Sequence, residues 1–288
     1  MENKRFLRSY KLTVTTETGS VIISDPLKIS FSCNKSISGG LNSSTINIYN
    51  IAQKSRELIS KERFQTDKRI KVTLDVGYGD RSETIFKGTV LSAISLRDGA
   101  DIVTEIEATD GGEALEKSFV TKVIDAGVDK VEEIVDELTG VAKGKVTAKV
   151  VNTRPIVIVG NAVEELRKAS RENGYIFYIG EEKCHVIKSD EVIFEQVQIV
   201  KASTGLINTP TREGLNVVFN TVLNPAIKVG GKVKVESEVD KRDAKEGGVN
   251  GIYVVTSMNI QGDNYGDLWN QTITAKPFGV NIGDGNAN

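Results

Sequence analysis

The stretch GDNYGDLWNQTITA, residues 262–275, combines the residues of a turn with the pattern of a strand. Tyr265-Gly266-Asp267 is typical of a turn, and apolar and polar residues alternate from Trp269 to Ala275. Alternation of this kind predicts a strand with one buried face. Together with the apolar run before it, the stretch predicts a β-hairpin, and a similar hairpin pattern occurs much earlier in the chain.

The two hairpin patterns align without a gap. Residues 85–108 read IFKGTVLSAISLRDGADIVTEIEA and residues 252–275 read IYVVTSMNIQGDNYGDLWNQTITA, which places Gly99 on Gly266 at the turn. A similar strand precedes each hairpin, at 71–74 and at 232–235. Chance similarity between two hairpins is the alternative, but the shared order, turn position and flanking strands favour an internal repeat.

Outward from the hairpins, the pattern divides the chain into two β regions and a tail. Alternating runs separated by turn signals fill residues 1–112 and 191–280, which predicts two related antiparallel β-barrel domains. Residues 281–288 are rich in Gly and Asn and predict a flexible tail.

Residues 113–190 differ from the regions on either side. Apolar residues recur at helical spacing in 129–138, and a second helix is predicted from the N-cap Asn161 to Asn173-Gly174. Strand patterns lie around these helices, at 145–151 for example. The region predicts a small α+β domain between the β domains, so the fold class is β-rich α+β.

Composition excludes several classes of function. Apolar residues make up 39% and charged residues 26% of the 288, which suits a protein with a substantial core. The formal charge of −2 lacks the basic footprint of nucleic-acid binding. The chain contains neither a run of 18 apolar residues nor the apolar core of a signal peptide near Met1, so we expect no membrane insertion.

No catalytic or metal-binding pattern is present in the sequence. His185 is the only histidine and lies beside Cys184, and the second cysteine, Cys33, belongs to another region, so we expect an ordinary strand residue on a half-exposed face. Asp263 and Asp267 could form the acid–base pair of a hydrolase such as a cell-wall lysin, but both flank a turn, where Asp is favoured for backbone reasons. We therefore predict no enzyme, no cofactor and no metal.

Short motifs follow one another in a specific order along the chain. They are LN and YNI (within 41–51), VGY (76–78), IFKG (85–88), ATDG (108–111), GLINTP (205–210), VVFNTVLNP (217–225), VGGKV (229–233), GIYVV (251–255) and GDNYGDLW (262–269). In this order they resemble the baseplate hub proteins of contractile phage tails, which are related to the hub part of type VI secretion spike proteins. The family often carries a histidine before the first glycine of the last motif, and here Asn259-Ile260-Gln261 stands in that region.

The resemblance implies a structural role in the tail baseplate of a virion assembled in the host cytoplasm. It implies a homotrimer with two tail-tube-like β domains per subunit, which adapts a sixfold tail tube to a threefold spike. The implied partners are the tail tube or distal tube protein, the central spike protein and other baseplate proteins. DNA would pass through the lined channel during genome ejection without specific binding.

The two hairpin turns are the candidate assembly interface, because their polar tips suit a wet rim against a neighbouring domain or subunit. The residues are Asp98, Gly99, Asn264, Tyr265, Gly266 and Asp267. If Gly266 has a positive φ, valine there is expected to strain the turn. The alternative is a carbohydrate-binding adhesin or tail-fibre domain, which would need Tyr78, Tyr265 and Trp269 clustered and exposed.

Overall fold

The computed structural model describes residues 7–37, 40–65, 67–243 and 247–278. Strands dominate this part of the chain. The strands of the first β region are β1 (Arg8–Thr15), β2 (Ser20–Ser24), β3 (Ile29–Ser36), β4 (Ser43–Tyr49), β5 (Lys71–Tyr78), β6 (Arg81–Asp98) and β7 (Asp101–Thr109). Those of the α+β unit are β8 (Phe119–Ile124), β9 (Ala142–Val146), β10 (Ile156–Asn161), β11 (Tyr175–Gly180) and β12 (Lys183–Lys188). The second β region has β13 (Phe194–Val200), β14 (Thr211–Glu213), β15 (Asn216–Val222), β16 (Gly231–Val235), β17 (Gly251–Asp263) and β18 (Trp269–Pro277).

The α-helices of the described residues are α1 (Gln53–Ile59), α2 (Gly112–Lys117), α3 (Lys130–Val135) and α4 (Ala162–Asn173). Helix α4 begins and ends where the sequence predicts. The Asn161 side chain accepts hydrogen bonds from the backbone N–H groups of Val163 and Glu164, and Gly174 ends the helix in the left-handed conformation. The short elements α2, β2, β8 and β14 have no counterpart in the sequence prediction, and β9 lies earlier than the predicted 145–151.

Thirteen of the described strands form one sheet that runs through both β regions. Its order is β14-β15-β18-β17-β3-β4-β7-β6-β5-β1-β2, with β16 beside the first part of β17 and β13 beside β16. The two regions meet where β17 pairs with β3. The described strands form an open path rather than two closed barrels, so the barrel closure expected from the sequence is not observed within one chain.

The second β region repeats the strand order of the first. In the first region the order is β3-β4-β7-β6-β5-β1, and in the second it is β14-β15-β18-β17-β16-β13, with the members in the same chain order. One strand differs in direction: β1 is antiparallel to β5, whereas β13 is parallel to β16. Two copies of one strand arrangement therefore lie side by side in the sheet.

The two hairpins carry a β-bulge at the same place. In β6–β7 the register shifts just after the pair Val90–Ala108, and in β17–β18 it shifts just after the pair Val255–Ala275. A bulge inserts one unpaired residue and increases the local twist, so the shared position marks equivalent strands. A residue of β6 thus corresponds to the residue of β17 that lies 165 positions later, as Val90 does to Val255. A residue of β7 corresponds to the residue of β18 that lies 167 positions later, as Ala108 does to Ala275.

The ungapped alignment is therefore correct for β7 and β18, but it misaligns β6 and β17 by two residues. The physical reason is turn length. The first turn has two residues, because Asp98 pairs with Asp101, and the second has four, because the Asp263 N–H bonds to the Leu268 carbonyl. Gly99 and Gly266 consequently do not occupy equivalent positions.

One hydrophobic core extends beneath both β regions, and a second lies within the α+β unit. The first includes Leu12 and Ile106 from one region and Phe219 and Ile273 from the other. The second includes Leu166 of α4 and its neighbours from α3, β8, β10, β11 and β12. The β regions are thus packed on one shared core, which Ile176, Tyr178 and Ile187 of the α+β unit join, whereas most buried side chains of that unit form the second core.

A buried polar cluster attaches the α+β unit to the sheet. The Asp110 carboxylate, 1% exposed, accepts hydrogen bonds from the backbone N–H groups of Glu181 and Glu182 at 2.6 and 3.2 Å. The Asn42 side chain donates to the Tyr178 hydroxyl at 3.2 Å. Burial is the largest influence on the pKa of Asp110 and raises it, opposed by these hydrogen bonds.

We expect Asp110→Ala to lower the free energy of unfolding by about 2 kcal/mol, because it leaves the partly buried backbone N–H groups of Glu181 and Glu182 without their acceptor. Urea denaturation followed by circular dichroism measures this. The exposed Asp190 provides the control, since Asp190→Ala is expected to change stability by no more than about 0.5 kcal/mol. Equal effects of the two substitutions would contradict the structural role of Asp110.

Candidate functional site

The pairing of β3 with β17 joins segments more than 220 residues apart in sequence. The antiparallel register runs from Ser36–Ser257 to Ser30–Asp263. At one end of this ladder the backbone N–H of Ile37 donates to the Thr256 carbonyl at 3.0 Å. The outer half of β17 is thus covered by a strand of the other β region.

The tip of the second hairpin lies against the first β region. Asn264 occupies both its side-chain groups there: Oδ1 accepts from the Ile29 N–H at 2.8 Å and Nδ2 donates to the Leu27 carbonyl at 2.9 Å. The Tyr265 hydroxyl donates to the Pro26 carbonyl at 2.8 Å. These bonds satisfy backbone groups at the start of β3.

Arg8 of β1 also binds the same tip. Its guanidinium donates to the backbone carbonyls of Asp263, at 2.6 Å, of Gly266, and of Asp267, at 3.2 Å. The guanidinium also lies 5.7 Å from the ring centroid of Trp269, within cation–π range. One side chain thus fixes three carbonyls of the turn, which the rigid fork of donors of arginine suits.

Close packing supports these polar contacts. Trp269 is buried and meets Phe31 edge to face, with ring centroids 5.5 Å apart. A Cβ atom on Gly262 would lie 2.2 Å from Phe31 Cζ, so only glycine allows this approach of the two strands. The aromatic pair therefore spans the junction between the two β regions.

The turn itself is organised by Asp263. Its carboxylate accepts from the backbone N–H groups of Tyr265 and Gly266 at 2.9 and 2.7 Å, which is the turn role expected of Asp. Gly266 does not have a positive φ, so valine there would not be strained by a left-handed backbone. A side chain is disfavoured there for a different reason, because its Cβ would lie 2.8 Å from the Asp263 carboxyl carbon.

The tip of the first hairpin is exposed to solvent, in contrast to the tip of the second. Residues 94–101 are exposed throughout, including Ile94 at 45% and Leu96 at 68%. Gly99 has φ +61° and open space around its Cβ position. Asp98 and Gly99 therefore are not brought together with Asn264, Tyr265, Gly266 and Asp267 within one chain.

The aromatic side chains named for glycan binding do not form an exposed platform. Tyr265 is 64% exposed, but Trp269 is buried and Tyr78 is half-buried. The ring of Trp269, on which a sugar would stack, is instead in contact with Phe31 and Arg8.

His185 and Cys184 are both buried. His185 is 6% exposed rather than half-exposed, because β12 is covered on this face by Tyr178 and Phe194. Its Nδ1 accepts from the backbone N–H of Lys145 at 3.0 Å, and burial lowers its pKa to about 4. Burial also raises the pKa of Cys184 to about 12, which disfavours a reactive thiolate.

Within the described residues, no group of His, Cys, Asp and Glu side chains is arranged to hold a metal ion. None of the described helices is long and apolar enough to cross a membrane. The residues that sequence reasoning missed are Arg8 and Phe31. Their partners lie more than 230 positions away, so no local pattern marks them.

Comparison with known proteins identifies related sequences and folds. The family model for the baseplate hub gp41 matches residues 10–269. No curated protein matches the chain.

Several solved structures share the fold at low sequence identity. The 43 kDa tail protein of prophage MuSo2 from Shewanella oneidensis has a TM-score of 0.62 and 9% identity, over 93% of this chain and 98% of that one. A tail protein from Neisseria meningitidis has a TM-score of 0.60 and 9% sequence identity, over 96% of this chain and 98% of that one. The third is a component of the type VI secretion system from E. coli, which is described as structurally similar to the tail proteins gp27 and gp5 of bacteriophage T4. It has a TM-score of 0.59 and 12% sequence identity, over 93% of this chain and 78% of that one.

We expect Gly266→Val to lower the free energy of unfolding by about 1–3 kcal/mol, because the new side chain must displace the Asp263 carboxylate that organises the turn. Thermal and urea denaturation measure the change. Tyr265→Phe is the matched control and loses only one exposed hydrogen bond, so its expected effect is within about 0.5–1.5 kcal/mol. A Gly266→Val variant as stable as the parent would contradict this description of the turn.

The buried His185 predicts a pH-dependent stability. Its pKa of about 4 in the folded state lies below the value of about 6.5 in the unfolded state. The contribution of the neutral, buried imidazole to the free energy of unfolding is therefore complete above about pH 6.5 and is lost as the pH falls towards 4. We expect the free energy of unfolding of the parent to fall by about 3 kcal/mol more than that of His185→Gln between pH 7 and pH 4. Urea titrations at several pH values test this, and parallel pH profiles would refute it.

Proposed function

Since the chain belongs to the baseplate hub gp41 family of phage tail structural proteins, we propose that it forms a homotrimeric hub. In this proposal the trimer is a ring that adapts a sixfold tail tube to a threefold spike and lines the channel for DNA. Its two β regions act as two tail-tube-like domains, at 1–112 and 191–280, with the α+β domain at 113–190 between them.

The observation that carries the proposal is the repeated strand order. Each chain holds two copies of one strand arrangement, with the same bulge in the same hairpin. Three such chains present six similar units around a threefold axis. This reconciles a threefold partner with a sixfold partner, which a chain with a single unit cannot do in a trimer.

The partners follow from the two faces of such a ring. The tail tube or distal tube protein would contact the pseudo-sixfold face, the central spike protein the opposite face, and other baseplate proteins the outside. A formal charge of −2 is consistent with a channel that DNA passes without being retained through counterion release. We place the protein in the tail baseplate of the virion, after assembly in the host cytoplasm.

We predict that the purified chain is a trimer. Its mass by size-exclusion chromatography with multi-angle light scattering is expected to be three times the 31.3 kDa of one chain. Class averages of negatively stained particles are expected to show a ring with a central opening. A monomer that stays monomeric when mixed with its spike protein would contradict the proposal.

A further inference from the structure

A small cavity lies where the two β regions and the α+β unit meet. Its volume is about 10 Å³. Lys35 of β3 lines it from the first β region, Tyr178 and Glu181 line it from the α+β unit, and Phe194 and Lys228 line it from the second β region. Any occupant of this cavity therefore touches all three parts of the chain.

Lys35 brings a buried amino group to this cavity. The residue lies opposite Met258 of β17 and is only 8% exposed. Burial lowers the pKa of Lys35, opposed chiefly by the charge of Glu181. Within the described part of the chain, however, Lys35 makes neither a direct hydrogen bond nor an ion pair. Because a buried polar group without a partner is costly, this amino group calls for a water molecule or an ion.

Two further polar groups of the wall can each make another hydrogen bond. The Tyr178 hydroxyl accepts from Asn42 Nδ2 at 3.2 Å, and the described residues offer no acceptor for its own proton. The Glu181 carboxylate accepts from Lys228 Nζ on both oxygens, at 3.1 and 3.0 Å. Each carboxylate oxygen has a second lone pair, so it can accept once more. The cavity is thus lined by two donors and one acceptor.

Charge and volume decide which occupant fits. The charged groups that act on Lys35 are Glu181, Asp110 and Lys228, so two positive and two negative side chains balance around the cavity. A neutral molecule preserves this balance, whereas an ion would add an uncompensated charge to a buried site. A volume of about 10 Å³ is also the lower limit for a single water molecule and leaves no room for a polyatomic ion.

We infer that the cavity binds one ordered water molecule. The water accepts hydrogen bonds from the Lys35 amino group and the Tyr178 hydroxyl, and it donates one to the Glu181 carboxylate. Three hydrogen bonds are typical of a buried water in a protein. The site lies within a single chain, so the inference does not depend on the number of copies in the assembly.

The water adds a second link between the α+β unit and the sheet. The first is the bond from the Glu181 backbone N–H to Asp110 at 2.6 Å. Through the water, the side chain of Glu181 reaches Lys35 of the first β region, and through its ion pair it reaches Lys228 of the second. A bridge through water is nearly as favourable as a direct hydrogen bond, so it helps to fix the turn after β11 against both β regions.

The direct test is a crystal structure of the full-length protein at a resolution that shows ordered water. We expect a water oxygen within about 3.2 Å of Lys35 Nζ, Tyr178 Oη and a carboxylate oxygen of Glu181. An empty cavity would overturn the inference. A Lys35 amino group that binds Glu181 directly, with no water between them, would overturn it as well.

Crystals grown in sodium bromide distinguish water from a bound anion. Bromide scatters anomalously, whereas water does not. We expect no anomalous peak in the cavity. A peak beside Lys35 would overturn the water site and assign a halide to it instead.

The variant Lys35→Met removes one donor and keeps a side chain of similar length. We expect its crystal structure to show the water at less than half occupancy, because only two of the three partners remain. Tyr178→Phe removes the other donor and serves the same purpose if Lys35→Met does not fold. Full occupancy in either variant would overturn the assigned hydrogen bonds.

Lys87→Met is the matched control. Lys87 pairs with Glu182 in the same turn, but its side chain is 44% exposed and does not line the cavity. We therefore expect the water to remain at full occupancy in this variant. Loss of the water from Lys87→Met as well would overturn the inference, because it would show that the charge of the turn, rather than the cavity wall, holds the water.

Discussion

The need to pair strand edges governs this structure. β17 is a 13-residue strand with one edge bonded to β18 along its length, while its other edge is shared by β16 at 251–254 and β3 at 257–263. Neither partner alone could cover that edge. Because one of them belongs to the other β region, hydrogen bonding in the backbone, rather than side-chain packing alone, joins the two halves of the sheet and places a single core beneath them.

The polar residues at the second hairpin tip serve the same need. Asn264 satisfies an N–H and a carbonyl at the start of β3, and Arg8 satisfies three carbonyls of the turn. Such groups would resemble binding or catalytic residues in a sequence, yet here each is bonded to backbone. Burial lowers the pKa of His185 and raises that of Cys184, so the imidazole and the thiol both stay uncharged near neutral pH. The polar contacts of the tip therefore hold the strands of the two β regions in register.

The α+β unit follows a different principle. Most of its buried side chains form a separate core, while Ile176 and Ile187 pack into the core of the β regions. Asp110 and Asn42 attach it to the sheet, because their side chains satisfy backbone and hydroxyl groups of β11 and of the turn after it. Lys71 and Lys87 add ion pairs from the sheet to Glu182. A buried polar attachment of this kind fixes orientation, because each bond has one satisfactory geometry. In a ring, it would hold the α+β unit in one position relative to the two β regions.

The sequence by itself determined the local elements: the N-cap Asn161 and the terminal Gly174 set α4, and alternation marked most strands and both hairpins. It also determined the family resemblance and the absence of recognisable catalytic motifs. What it missed was set by contacts between distant segments. The two-residue difference in turn length, the reason for glycine at 266, the burial of Trp269 and the role of Arg8 all depend on partners far away in sequence, and no spacing rule reports such partners. Only the tertiary structure decided that the two β regions form one open sheet with one tip covered and the other bare, because pairing between β3 and β17 is a property of edges brought together by folding.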